Sequence, residues 1–460
     1  MRTPNLQYLY LQKPVTLIVI ICIICVLPWL GLGNMFESYQ ATYTDHINIV
    51  ESMLTSGNWT IPYLKDGSID FPLFYWLTIL FSMPQGFVSS LTFHITGAIS
   101  FIALMTSILI FYGRRIKFHQ AFIATLLLLT CLGLQKIAIE IGNELLFSTL
   151  ILIAMIQMYR WEESGELKGL PISIPILLSC AALTQGLSGI FIPLLIFGSY
   201  LYSLKKYPIR IILKCNIYIF IASIFIPSLW YISVWKSSPE LFYSTLFYSN
   251  WWTTLNIANL FKYVLFGFMP WTIFFIFSLF GLKKKDFISI GSNCSAYFAS
   301  LCNVHRFSLV SFIGFFVSYL LLPEKHIGFI GLFITFISLF LSQYALYITE
   351  YRTKCTRLFA LVLAIAMTLC ITTVILTVFG VVSPVKILAY TENKWAISYI
   401  QNAQIFFSQP TVPVIMLIVC TILSLLIVYY QMFRNINIKM LYSTIALMFF
   451  SNLLFCRILL

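Results

Sequence analysis

The sequence predicts an all-α, polytopic integral membrane protein that crosses the bilayer about 13 times. Three observations predict this class. Of the 460 residues 60% are hydrophobic and 9% are charged, and the mean hydropathy is +0.93, which is more apolar surface than a soluble core can bury. Many apolar runs approach the ~20 residues that a spanning helix requires. The short alternating strands of a membrane barrel are not visible in the sequence.

Charged residues orient the chain in the membrane. Short basic clusters such as Arg114-Arg115 and Lys205-Lys206 separate the apolar runs, and loops of this kind face the cytoplasm. The net charge of +13 therefore belongs to inner loops and does not indicate nucleic-acid binding. The N-terminus is then cytoplasmic. Ten of the 15 carboxylates are placed outside, so we expect polar chemistry there: Glu37, Asp45, Glu51, Asp66, Asp70, Glu140, Glu144, Glu240, Glu324 and Glu392.

A long outer segment, 33–90, lies between the first predicted span (15–32) and the second (92–112). The apolar residues of 42–56 recur at helical spacing, which predicts an amphipathic helix on the membrane surface; they are Ile47, Val50, Met53 and Leu54. Residues 72–82 are apolar and aromatic but short. We interpret them as a re-entrant or interfacial helix, because that keeps the next basic cluster inside.

The later spans alternate between inner and outer connections. We predict spans at 119–138 and 215–235, with the others assigned from the connections between them. These connections are the outer turn 140–144, the inner loop 160–169, a hairpin tip at Gln185-Gly186, the outer turn 322–326 and the outer loop 383–411. The division that follows is a module at 1–345 and C-terminal spans at 346–460, with no soluble domain.

Several short runs resemble the GT-C membrane glycosyltransferases, which include lipid A aminoarabinose transferases and protein O-mannosyltransferases. The run Ser52–Pro62 (SMLTSGNWTIP) resembles the family's "xxMLxxGxWxxP", and Phe71–Leu77 (FPLFYWL) resembles "KPPLxYWL". The outer turn ending at Glu144 matches the place of a second acidic residue. Two further runs resemble "LxKG" and "PxKxxxY"; they are Ala182–Gly186 and Leu322–His326.

The resemblance implies sugar transfer on the outer face of a bacterial inner membrane. The donor would be a polyprenyl-phosphate sugar, and the acceptor an envelope lipid, glycan or protein. Asp45 or Glu37 would act as general base and Glu144 as the second acid. Some relatives use a divalent metal ion at their acids, although no metal cluster is readable here. The residues implied in substrate binding are Lys65, Asp70, Tyr75, Trp76, Gln185, Lys325 and His326.

The sequence also departs from the family pattern at three positions. Counting back without gaps places Thr42 or Tyr43 where the family has its catalytic acid. Asp70 and Gln185 stand where the family has lysine. An alternative hypothesis is therefore a catalytically inactive paralogue that binds polyprenyl lipid or scaffolds an envelope complex. A third is a lipid-linked sugar transporter, which ranks lower because few ionisable residues fall in mid-span.

Overall fold

The fold is all-α, as the sequence predicts. The computed structural model describes residues 14–26, 41–63, 69–139, 141–165, 167, 169–240, 242, 265, 267–279, 301–321, 328–351, 353–378, 412–434 and 437–459. The helices in these residues are α1 (Pro14–Val26), α2 (Ala41–Ser56), α3 (Pro72–Ser82), α4 (Ser90–Gly113), α5 (Phe118–Leu129), α6 (Leu132–Ile139), α7 (Glu144–Glu163), α8 (Ser173–Gln185), α9 (Ser188–Ser203), α10 (Ile209–Ser237), α11 (Trp271–Leu279), α12 (Asn303–Leu321), α13 (Gly328–Tyr351), α14 (Thr353–Val378), α15 (Val412–Arg434) and α16 (Asn437–Leu459).

Within these residues, six helices are long and apolar enough to cross a membrane, or seven if α5 and α6 form one broken span. The six are α4, α7, α10, α13, α14 and α15. Four other predicted spans coincide with the shorter apolar helices α1, α8, α9 and α16, and a fifth coincides with α12. The span predicted before 283–285 is described only at α11. The chain is therefore a multi-pass membrane protein, while the predicted number of 13 spans stays a prediction.

The main core is an aromatic cluster between α4, α7, α9, α12 and α13. Phe307 lies at its centre, with its ring 4.9 Å from that of Tyr159 and 5.1 Å from that of Tyr200. By contrast, α10 leaves large apolar side chains uncovered, for example Phe225 at 66% exposure. Lipid tails solvate such a surface as well as they solvate any hydrocarbon, so this face of α10 is a lipid-facing surface.

Helices α5 and α6 meet at a bend of 64°. The bend frees backbone carbonyls from the helical hydrogen-bond ladder, and side chains replace the missing donors. Gln135 Nε2 donates to the Leu129 carbonyl at 2.6 Å, and Asn452 Nδ2 of α16 donates to the Thr130 carbonyl at 2.7 Å. The Trp271 indole donates to Thr130 Oγ1 at 2.8 Å. These bonds stabilise a break that carries α6 toward the turn before α7.

Charged side chains gather where α4, α7 and the α9–α10 connection meet. Arg115 pairs with Glu163, and Lys206 Nζ lies 3.2 Å from Oε1 of the buried Glu162. Hydrogen bonds to Tyr207 and Glu162 raise the pKa of Lys206. This basic end of the bundle is the one that the sequence places in the cytoplasm.

Candidate functional site

The candidate site lies around α2 and α3, at the end of the bundle opposite the basic cluster. The apolar face of α2 packs on α3 and α4, where Val50, Met53, Phe74 and Phe93 form one buried cluster. Leu54, expected on the same face, is 37% exposed. The predicted amphipathic helix is therefore present, but its apolar face contacts protein helices. Pro72 opens α3 because proline suits the first helical position.

A hydrogen-bonded chain links α2 to the segment before α3. His46 Nδ1 lies 2.9 Å from the hydroxyl of Tyr75, and that hydroxyl donates to Asp70 Oδ2 at 2.8 Å. The backbone N–H of Phe71 donates to Asp70 Oδ1 at 2.8 Å. Tyr75 itself is fully buried. Both oxygens of Asp70 thus accept hydrogen bonds from the protein.

Two tryptophans fix the extended segment that leads from α2 to α3. The indole of Trp76 donates to the Trp59 carbonyl at 2.6 Å, and the indole of Trp230 donates to the Thr60 carbonyl at 2.8 Å. An isolated antiparallel bridge joins Tyr63 to Ile69. The backbone of this segment is therefore held on both sides, which fixes the position of the residues that follow it.

The C-terminus of α8 closes the site from the other side. Gly186 ends the helix at φ +83°, and a Cβ there would lie 2.8 Å from the ring of Phe71. Glycine suits the conformation and leaves room for that ring. Gln185, only 5% exposed, donates through Nε2 to Asn143 Oδ1 at 2.8 Å. Asn143 Nδ2 donates to the Thr184 carbonyl at 3.0 Å.

The orientation of these two amides follows from the Thr184 carbonyl. A carbonyl only accepts hydrogen bonds, so Asn143 must present its NH₂ group to Thr184 and its oxygen to Gln185. Gln185 then presents its own NH₂ group to Asn143. Its oxygen, Oε1, is buried and has no hydrogen-bond partner in the part of the chain that the structure describes.

Glu144 is the first residue of α7, where the helix dipole stabilises a carboxylate. Its side chain folds back over the preceding turn, since a Cβ at Gly142 would collide with the Glu144 carboxylate. Asn143 precedes it in the N-cap position, yet its side chain does not cap the helix. The amide of Asn143 is instead used to join α7 to α8.

The structure places five of the sequence-predicted site residues on elements that contact one another at this end of the bundle. Asp70, Tyr75 and Trp76 lie near α8, because Phe71 contacts Gly186 at the end of that helix. Gln185 of α8 bonds to Asn143, which directly precedes Glu144 in the chain. Asp45 lies in α2 directly before His46, and its side chain is not described. Glu37, Lys65, Lys325 and His326 fall outside the described residues.

Two residues of the site were missed by the sequence analysis. His46 lies four and seven residues before Val50 and Met53, so the helical period already places it on the buried face of α2. Asn143 is a common helix-capping residue directly before a predicted helix. Nothing in its sequence context predicts its bond to Gln185, because the partners lie 42 residues apart.

The described residues contain no group of three or more His, Cys, Asp or Glu side chains that could hold a metal ion. Both oxygens of Asp70 accept hydrogen bonds, while Glu37 and the side chain of Asp45 lie outside what the structure describes.

Comparison with known proteins identifies the architecture. No family model and no curated protein matches the chain in sequence. The crystal structure of ArnT from Cupriavidus metallidurans bound to undecaprenyl phosphate matches it with a TM-score of 0.66 at 14% identity, covering 97% of this chain and 76% of that chain. The chain has the GT-C fold. The apo structure of the same ArnT matches with a TM-score of 0.65 at 13% identity and the same coverage.

The GT-C fold confirms the predicted fold class over nearly the whole chain. At this identity the likeness concerns the fold. The roles of individual residues in this GT-C chain therefore depend on its own geometry.

Proposed function

We propose that the chain is a membrane glycosyltransferase that moves a sugar from a polyprenyl-phosphate carrier to an envelope lipid, glycan or protein. The reaction takes place on the outer face of the inner membrane, within residues 1–345. One observation carries the proposal: the chain shares its fold over 97% of its length with an ArnT structure that contains undecaprenyl phosphate. A carrier lipid of that class suits a helical bundle in a bilayer, because its tail stays among the lipid chains.

The outer end of the bundle offers the chemistry that such a transfer needs. The acceptor must lose a proton as it attacks the sugar, and a carboxylate can take that proton. Asp45 and Glu37 are the candidates for this role, with Glu144 as the second acid. The leaving phosphate needs a cation, for which we propose Lys65, Lys325 or His326. Tyr75 and Trp76 are the aromatic residues that we propose in substrate binding.

A lipid-binding paralogue without turnover is the second candidate function. The observation that favours it is the loss of positive charge at two positions, since Asp70 and Gln185 stand where the resembling family has lysine. Both side chains bond to neighbouring protein groups. Binding of the carrier lipid would persist in such a paralogue, whereas release of free carrier phosphate would not occur.

The two candidates are separated by one measurement that does not depend on which sugar is used. Purified protein in proteoliposomes is mixed with a panel of undecaprenyl-phosphate sugars and a membrane extract as acceptor source. The release of undecaprenyl phosphate is then followed by mass spectrometry. The matched variants are Asp45→Asn, Glu37→Gln and Glu144→Gln, with Glu51→Gln on the exposed side of α2 as control.

A glycosyltransferase releases undecaprenyl phosphate, and at least one of the three site variants lowers the rate by about 100-fold. The control variant keeps the wild-type rate. Binding of undecaprenyl phosphate without release from any donor favours the lipid-binding paralogue. Full activity in all three site variants contradicts the assigned acids, and a protein that does not bind the carrier contradicts both candidate functions.

A further inference from the structure

A groove lies between α8 and α10 on the lipid-facing side of the bundle. Its volume is about 290 Å³. Both helices contribute to its walls, which are apolar apart from one serine; they include Pro175, Ile176, Ser179, Ala222, Phe225 and Ile226. Ile176 is 47% exposed and Phe225 is 66% exposed. The groove is therefore open to the hydrocarbon of a surrounding bilayer.

A proline inside α10 explains the serine in this groove. Pro227 has no backbone N–H, so the Ser223 carbonyl four residues before it lacks the donor that a regular helix would supply. Ser179 of α8 replaces that donor, because its hydroxyl donates to the Ser223 carbonyl at 2.6 Å. The hydroxyl hydrogen is thus used within the protein. The groove then favours a hydrocarbon chain over a polar ligand.

A row of exposed side chains on α10 leads from the basic end of the bundle to the groove. Its members are spaced four residues apart, so they follow one ridge of the helix surface; they are Arg210, Lys214, Tyr218, Ala222 and Ile226. Lys214 Nζ lies 5.7 Å from the centre of the Tyr218 ring. Tyrosines and cations at one level are typical of the boundary between hydrocarbon and lipid head groups. The row therefore passes from two cations through an aromatic ring to the apolar groove.

The two cations of this row are not neutralised by the protein. Arg210 and Lys214 are both exposed, and neither forms an ion pair within the residues that the structure describes. The neighbouring Lys206, by contrast, lies 3.2 Å from Glu162. Two adjacent positive charges without a protein partner attract an anionic lipid head group. A zwitterionic head group gains less from them, because its own cation is repelled.

The distance from the cations to the groove matches the depth of one leaflet. An α-helix rises 1.5 Å per residue, so Ala222 and Ile226 lie about 12 and about 18 Å beyond Lys214 along α10. Half of the hydrocarbon core of a bilayer measures about 15 Å. A lipid whose head group contacts the cations therefore places a tail at the groove. Because lipid tails solvate other helix surfaces equally well, the charges decide which lipid is bound.

We propose that α8 and α10 form a binding site for an anionic phospholipid of the leaflet at the basic end of the bundle. Arg210 and Lys214 bind its phosphate, and the groove between Ser179 and Ala222 holds one acyl chain. This site is separate from the proposed sugar-transfer site, which lies at the opposite end of the bundle around α2 and α3. Lipid binding there does not require turnover, so it can be measured whichever sugar the protein transfers.

The experiment titrates the purified, delipidated full-length protein with two lipids and detects the complexes by native mass spectrometry. Dioleoyl phosphatidylglycerol and dioleoyl phosphatidylcholine have the same tails and differ in head-group charge. With two cations at the site, we expect the anionic lipid to bind about 30-fold more tightly than the zwitterionic one. This preference should shrink as the ionic strength rises above about 0.1 M, because salt screens exposed charges.

Substitutions separate the head-group contact from the groove. Arg210→Gln combined with Lys214→Gln should lower the affinity for the anionic lipid about 30-fold, to that of the zwitterionic lipid. Lys236→Gln, at an exposed cation near the other end of α10, is the matched control and should leave both affinities unchanged. Ala222→Phe fills the groove and should lower both affinities by about tenfold. Ile217→Phe, on the exposed surface of α10 outside the groove, should not.

Equal affinity of the wild type for the two lipids overturns the proposal, as does a double variant that keeps the preference. Equal losses in Ala222→Phe and Ile217→Phe would place the tail outside the groove and overturn it as well. Displacement of bound phosphatidylglycerol by an equal concentration of undecaprenyl phosphate would assign the groove to the carrier lipid and also contradict the proposal. The salt dependence of wild-type binding needs no variant, and it tests the role of the cations even if a substituted protein does not fold.

Discussion

Asn452 supports the break between α5 and α6, and its replacement by leucine tests how the break is stabilised. Its amide donates to the Thr130 carbonyl at 2.7 Å and is 8% exposed. A buried carbonyl left without a donor costs about 1–3 kcal/mol. Hydrogen bonds between membrane helices average only about 0.6 kcal/mol, because partners are also available in the unfolded state. At this break the neighbouring donors already bond elsewhere: Gln135 to Leu129 and Trp271 to Thr130 Oγ1. We therefore expect the Asn452→Leu substitution to lower the free energy of unfolding by about 2 kcal/mol, well above the membrane average.

The assay is equilibrium unfolding of the protein from mild-detergent micelles by added SDS. Ser451→Ala is the matched control, because Ser451 is also buried, at 1% exposure, and its hydroxyl donates to the Met448 carbonyl of its own helix. We expect the control to change the free energy of unfolding by less than about 0.5 kcal/mol. If Asn452→Leu changes it no more than the control does, the Thr130 carbonyl has another donor and our account of the break is wrong.

Two further substitutions test the site and the opposite end of the bundle. Gly186→Ala should destabilise the protein by about 2 kcal/mol more than Gly57→Ala, as measured by the same unfolding assay. Both glycines have positive φ, but only at Gly186 does a Cβ meet another side chain, that of Phe71; equal losses would refute the contact. Lys206→Met removes the ion pair with Glu162. Because the pKa of Lys206 is raised above its ordinary value of 10.5, the stability lost in this variant should be constant from pH 7 to 10 and shrink only at higher pH. A loss that already fades below pH 10 would contradict this.

Local patterns in the sequence predicted the two helices of the outer segment closely. Residues 72–82 were predicted as one short helix, and α3 spans Pro72–Ser82. The helix predicted at 42–56 is α2, Ala41–Ser56. The first prediction rests on a short apolar run whose placement keeps the next basic cluster inside, and the second rests on apolar residues at helical spacing. The surface that α2 covers was not predictable in this way, since an amphipathic helix buries its apolar face equally well in lipid or on protein.

The contacts that form the site depend on residues far apart in the sequence. The resemblance implies a substrate-binding role for Asp70 at a position where the family has lysine, whereas the structure shows it holding Tyr75 and the backbone at Phe71. Gln185 has the same implied role at a second lysine position, and its partner Asn143 lies 42 positions away. No periodicity or motif spacing carries information on such pairs. They become visible only when α3, α7 and α8 are packed together.

Asp70 and Gln185 stand where the resembling family has lysine. The contacts of Asp70 indicate whether the site has lost its organisation or has acquired a different one. Decay would leave Asp70 as a solvated side chain without partners. The structure shows instead that both of its oxygens accept hydrogen bonds, one from Tyr75 and one from Phe71. A lysine at position 70 would leave the Tyr75 hydroxyl without this acceptor. The hydrogen bonds from His46 through Tyr75 to Asp70 could therefore not form with the lysine that the resembling family has at this position. We interpret the substitution as a change in the hydrogen bonds that hold α2 and the backbone before α3, and a bound phosphate would then need its positive charge from other residues.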